Sequence, residues 1–205
     1  MRGRLGGWLI IGGGALVAIA IWMYLDGQGL GSGTATGLPI AAALALFALG
    51  AFVLCAVGPE PFDGRLVRVG LGLLAVGQLG LLTQEILFAA STPDQMPTLR
   101  LIGLLYLAAG AAGGLGLLLT GLGLAMTTGL ARAVGVLLLA GMVSTVAVWI
   151  ATTYLQLALP GHTILWALVL AIVGNVAVGL LAIGGGRGTS ARPADEPPHV
   201  ARREA

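Results

Sequence analysis

Long apolar runs, broken by short polar segments, make up most of this chain. A helix that crosses the hydrocarbon core of a bilayer needs about 20 predominantly apolar residues. Six stretches meet that length: 5–25, 38–57, 66–90, 99–119, 133–159 and 163–183. Their apolar character is continuous and does not alternate with period two, which predicts helices and not the strands of a barrel. The expected fold is all-α, a six-transmembrane-helix bundle.

The breaks carry turn chemistry. Residues 26–37 are rich in Gly, Ser and Thr. Gly58-Pro59-Glu60-Pro61-Phe62-Asp63-Gly64 and Ser91-Thr92-Pro93-Asp94-Gln95-Met96-Pro97 are interrupted by proline, which lacks a backbone donor. Leu159-Pro160-Gly161-His162 reads as a tight turn, and the connection near 120–129 is the least polar. One membrane domain is expected over 1–186. The tail 187–205 mixes Arg, Asp, Glu and Pro without hydrophobic periodicity, which predicts disorder. The first run follows Arg2 and Arg4 as a secretory signal would. It outlasts the roughly 7–15 apolar residues of a signal peptide, so it is expected to be retained as a span.

Composition sharpens this picture. The chain is 58% hydrophobic and 9% charged, against about 25% charged for a soluble domain, so lipid must solvate much of it. All ten basic residues are arginine. Arg2, Arg4, Arg65, Arg68, Arg132, Arg187, Arg192, Arg202 and Arg203 fall on one side of the predicted topology, and only Arg100 on the other. Cytoplasmic loops carry the Arg/Lys excess, which predicts that both termini are cytoplasmic (N-in/C-in). The lack of lysine and the excess of Ala, Gly, Leu and Val point to a GC-rich bacterial genome, hence a bacterial cytoplasmic membrane. Trp8, Trp22, Tyr24, Trp149, Tyr154 and Trp166 lie mostly toward span ends, as interfacial aromatics do. A net charge of +2 spread over several loops argues against nucleic acid as a partner.

Arg4, Arg68 and Arg132 recur at intervals of 64 residues, and Gly13, Gly77 and Gly141 share that offset, as do Leu9, Leu73 and Leu137. Gly110 and Gly174 match in the fourth and sixth spans. The spacing predicts three helical hairpins in a pseudo-threefold arrangement, like the parallel repeats of other membrane proteins. This layout resembles that of the small bacterial HdeD-type acid-resistance membrane proteins, and Leu159-Pro160-Gly161 is similar to their Pro-Gly turns. The resemblance is one of topology and carries over no functional residue.

Lipid tails solvate leucine as well as another helix does, so association in the bilayer relies on small residues. The 35 glycines include the GxxxG pairs Gly3/Gly7 and Gly110/Gly114, and the seven-residue pairs Gly70/Gly77 and Gly103/Gly110. They are read first as internal packing and second as an interface for a homo-oligomer or a larger membrane complex.

The polar residues inside the spans are the only candidates for chemistry. Gln78 lies ten residues beyond Arg68, about 15 Å along a helix and so near the midplane. Asn175, Ser144 and Thr145 fall at similar depth. Such groups serve either as interhelical hydrogen bonds or as a polar lining. A second group, Gln84, Glu85, Arg100, Thr152, Gln156 and His162, lies toward the side opposite the arginines. Glu85 is the only acid within a run, and an intramembrane ionisable group is a functional candidate with a partner to be named. Arg100 is that expected partner, either in a staple between the third and fourth spans or as part of a proton- or solute-coupling site.

Several chemistries have no residues to carry them. Without lysine there is no retinal Schiff base, and His162 and His199 fall on opposite sides, so they cannot hold one haem. Cys55 is the only cysteine, and HExxH, GxSxG and GxxxxGK are missing. No catalytic, cofactor or metal residues are expected. The first functional expectation is a non-enzymatic structural or accessory subunit of a membrane complex. The alternative is a small transporter or channel-like protein with a polar path along Gln78, Asn175 and Glu85.

Overall fold

The computed structural model describes residues 2–26, 37–90, 96–153 and 155–184. Within them lie six helices: α1 (Arg2–Leu25), α2 (Gly37–Val57), α3 (Arg65–Ala90), α4 (Met96–Ala125), α5 (Gly129–Thr153) and α6 (Gly161–Gly184). Each is long and apolar enough to cross a membrane. Helices are the local solution because hydrocarbon offers no partner for backbone N–H and C=O groups, which must be satisfied within the segment. Only 22–33% of each apolar window is buried by protein. The remainder presents side chains such as Phe52, Val76, Leu104 and Leu180 outward, which is the surface of a polytopic membrane protein.

The two largest differences from the expected spans are at the ends of α4 and α5. α4 continues six residues past Leu119, because Thr120 and Leu124 are fully buried against neighbouring helices. Its end is closed by Thr127, whose N–H and hydroxyl both donate to Leu124 O, at 3.0 and 2.6 Å. α5 stops at Thr153, whereas the apolar run continues to Leu159. There Leu155 N–H donates to Ile150 O at 3.2 Å and Leu157 N–H to Ala151 O at 2.9 Å, and Gln156 between them has φ 50°. The expected loop at 27–36, the turn at 91–95, Tyr154 and the tail 187–205 lie outside the described residues.

Each helix packs on its chain neighbours, and α6 returns to α1, so the six form a closed ring. Glycine contacts give the directions. A Cβ at Gly6 would meet Leu54, and one at Gly13 would meet Phe47, so α1 and α2 run antiparallel. The same crossing pattern holds for Gly70 with Thr120 and Gly80 with Ala109 (α3/α4), Gly121 with Leu139 (α4/α5), and Gly7 with Ile183 and Gly14 with Val176 (α1/α6). The starts of α1, α3 and α5 therefore share one end of the ring, which carries exposed Arg4, Arg65, Arg68 and Arg132. Arg100, also exposed, lies at the far end.

The core is unevenly distributed between these ends. Large buried side chains cluster toward the arginine end: Leu54, Phe62, Leu71, Leu124, Leu138 and Leu181. Phe62 comes from the α2–α3 turn and is fully buried, and its N–H donates to Pro59 O at 2.7 Å. Toward the far end the buried hydrophobic residues are Ala20, Ala43, Ala109, Ala167 and Ile102. Small residues fill less volume, so the ring is tightly plugged at one end and more loosely filled from the midplane outward.

Candidate functional site

Immediately above the plug, four helices border a chamber of about 250 Å³ that is open on the side of Gly110 and Val146, both exposed. Gln78 and Leu81 line it from α3, Gly113 and Leu117 from α4, Met142 and Thr145 from α5, and Asn175 from α6. Gln78 and Asn175, placed at equal depth by the sequence, are thus brought to one site together with Thr145. Ser144, the neighbour of Thr145, is not among the lining residues.

The polar groups at this site do not tie the helices together. Asn175 Nδ2 donates to Ala171 O at 2.9 Å, one turn back on its own helix. Thr145 Oγ1 donates to Gly141 O at 2.9 Å, likewise on its own helix. Gln78 Oε1 is buried without a hydrogen-bond partner. An unpaired buried acceptor costs about 1–3 kcal/mol. Among the described residues, none of these hydrogen bonds joins two helices.

A second void lies against the first. A groove of about 470 Å³ runs between α4 and α5, lined by Tyr106, Leu107, Gly110, Ala111 and Gly114 on α4 and Thr145, Val146 and Trp149 on α5. Gly110, Gly114, Thr145 and Val146 belong to both linings. α4 and α5 are in close contact nearer the arginine end, where a Cβ on Gly135 would collide with Ala125 N. They part toward the far end, where nothing lies within 4 Å of a Cβ on Gly103, Gly110 or Gly114. Among the described residues, the Gly110/Gly114 pair therefore has no close helix neighbour, unlike Gly70/Gly77, which packs on α4.

The second group of candidates is not brought together. Glu85 Oε2 is buried and lacks a hydrogen-bond partner, while Arg100 is exposed. The expected Glu85–Arg100 ion pair is not formed among the described residues. Glu85 lies seven residues beyond Gln78 and four beyond Leu81, hence on the helix face that lines the chamber. Gln84 is half-buried on the same helix. Thr152 bonds back to Val148 O at 2.9 Å. Gln156 is exposed beyond the end of α5, and His162 is exposed in the first turn of α6. Cys55 Sγ donates to Arg68 O at 3.3 Å between α2 and α3.

A larger cavity of about 580 Å³ lies at the arginine end, between the α2–α3 and α4–α5 turns. Its charged residues Glu60, Asp63 and Arg65 are all exposed and of mixed sign. It is a depression between two turns, whereas the midplane chamber gathers polar groups that are costly to place in lipid. The chamber is the stronger candidate on those grounds. Comparison with protein families, with curated proteins and with solved structures finds no match to this chain.

Proposed function

We propose that this protein is a small membrane carrier whose midplane chamber receives an uncharged, hydrogen-bonding solute. The carrying observation is the convergence of Gln78, Thr145 and Asn175 on one chamber, with Gln78 Oε1 buried and unpaired. Amides and a hydroxyl supply donors and acceptors without net charge. A charged solute would meet no counter-ion in the lining, and burying an unpaired ion is prohibitively costly. An apolar cavity of about 150 Å³ holds benzene, so about 250 Å³ accommodates a ring-sized molecule. The plug around Phe62, Leu71 and Leu124 lies between the chamber and the arginine end, which favours alternating access over an open channel.

The carrier would sit in a bacterial cytoplasmic membrane with both termini in the cytoplasm. Support comes from the arginines gathered at one end of the ring. The pseudo-threefold arrangement belongs to this proposal as well. Gly13, Gly77 and Gly141, 64 residues apart, each sit against the following helix, at Phe47, Gly113 and Ala171 respectively.

The accessory-subunit reading retains one specific observation. The far half of α4 exposes Gly103, Leu104, Leu107, Gly110 and Ala111, a small-residue face on which a partner helix could pack. Purification in mild detergent, with mass spectrometry of bound small molecules and proteins, separates the two. The carrier predicts a small molecule that is retained by the wild type and held at least about tenfold more weakly by Gln78→Leu, the loss of one hydrogen bond. A stoichiometric protein partner without any Gln78-dependent small molecule would favour the subunit.

A further inference from the structure

We propose that the gap between the far halves of α4 and α5 is a lateral portal, through which an uncharged amphiphile dissolved in the bilayer reaches the midplane chamber. This rests on the chamber being a ligand site, as argued above, and adds the route and the chemical class.

The route follows from the two voids and their common wall. The groove is bounded by residues on the lipid-facing surface, Leu107 and Ala111 among them. The chamber reaches inward to half-buried Gln78, Met142 and Asn175 and to buried Gly113 and Leu138. Gly110, Gly114, Thr145 and Val146 form the threshold between them. The opening depends on two missing side chains. At Gly110 and Gly114 a Cβ would have no neighbour within 4 Å, whereas the glycines deeper in the same helix pair are in contact. A leucine at either position has room for its Cβ and adds bulk at the threshold.

The class of ligand follows from the linings. The groove is walled by apolar side chains, with Tyr106 and Trp149 beside it, aromatic residues suited to a boundary between apolar and polar surroundings. The chamber offers Gln78, Thr145 and Asn175. Among the described residues, no charged residue lines either void. A molecule with an apolar body in the groove and a compact, neutral, hydrogen-bonding head in the chamber satisfies both. Such a molecule partitions into lipid, so its shortest path to the chamber is sideways.

The test uses an apolar, uncharged phenyl diazirine dissolved in liposomes that contain the full chain. Photolysis is followed by mapping of the labelled residues. The expected wild-type pattern includes chamber residues Met142 and Gln78, besides lipid-facing Phe52 and Leu104. Gly110→Leu and Gly114→Leu should each lower chamber labelling at least tenfold and leave Phe52 and Leu104 unchanged. Val146→Phe narrows the same threshold from α5 and serves if a glycine variant does not fold. The portal is overturned if chamber residues are unlabelled in the wild type, or if their labelling survives in all the narrowed variants. It is equally overturned if a tightly bound partner helix protects Tyr106 and Leu107. Failure of the carrier is seen separately. Chamber labelling without any Gln78-dependent ligand leaves the portal standing, whereas ligand uptake at wild-type rate in the narrowed variants leaves only the chamber.

Discussion

Glu85 is the residue whose environment differs most from its expected one. A carboxylate next to an arginine would act as a staple, yet Glu85 Oε2 is buried without a partner and Arg100 is exposed. Leaving a buried polar atom unsatisfied is destabilising. Glu85→Gln should therefore leave thermal stability in detergent unchanged or raise it by about 1 kcal/mol. Arg100→Ala should change it by no more than about 0.5 kcal/mol, as for an exposed residue outside any network. A loss shared by both single variants and not increased in the double variant would restore the ion pair. Two backbone positions carry a complementary expectation. Gly129 opens α5 with φ 61° and has open space around it, so Gly129→Ala should cost about 1–2 kcal/mol from conformation alone. Gln156 adopts φ 50°, and Gln156→Gly should recover a similar amount. Both follow from melting curves of the purified variants.

At the scale of helices, equal glycines do unequal things. A Cβ on Gly77 would collide with Gly113 on α4, and one on Gly116 with Leu74 on α3. Gly77→Ala should lower stability by about 1–3 kcal/mol through overpacking. Gly110→Ala meets nothing within 4 Å and should be neutral or stabilising by up to about 1 kcal/mol, since alanine favours a helix. Equal losses at the two sites, measured by thermal unfolding, would mean that α4 and α5 close together.

That contrast also marks what the sequence makes legible. The helices are visible because an apolar run of 18 or more residues has few alternatives to a span. The end of α5 is not, because Leu155, Leu157 and Leu159 continue the apolar run through a loop, and hydropathy alone cannot tell loop from helix there. The chamber is partly visible, since Gln78, Thr145 and Asn175 stand out as polar residues at one depth. The groove is invisible. It is made by side chains that are missing, and nothing in the sequence distinguishes Gly110, which faces open space, from Gly77, which touches a backbone.

For the whole molecule, the ring has two unlike ends. One gathers exposed Arg4, Arg65, Arg68 and Arg132 above a core of large side chains, and the other has a core mostly of alanine. Arginine is retained on the cytoplasmic side of the membrane. Green fluorescent protein fused after Ala205 should therefore fluoresce, and alkaline phosphatase inserted between Pro93 and Asp94 should be active. A dark fusion at Ala205 together with active phosphatase there would invert the topology, and with it the side from which α4 and α5 part. Plug and chamber together define a cup closed at the arginine end, with its polar site about halfway along α3. The most direct test is a crystal structure of the chain grown from a lipidic phase. The account predicts non-protein density in the chamber, within hydrogen-bond distance of Gln78 and Asn175, with α4 and α5 parted at Gly110. A dry interior in which α4 and α5 meet along their full length, with Gln78 bonded directly to Asn175, would contradict it.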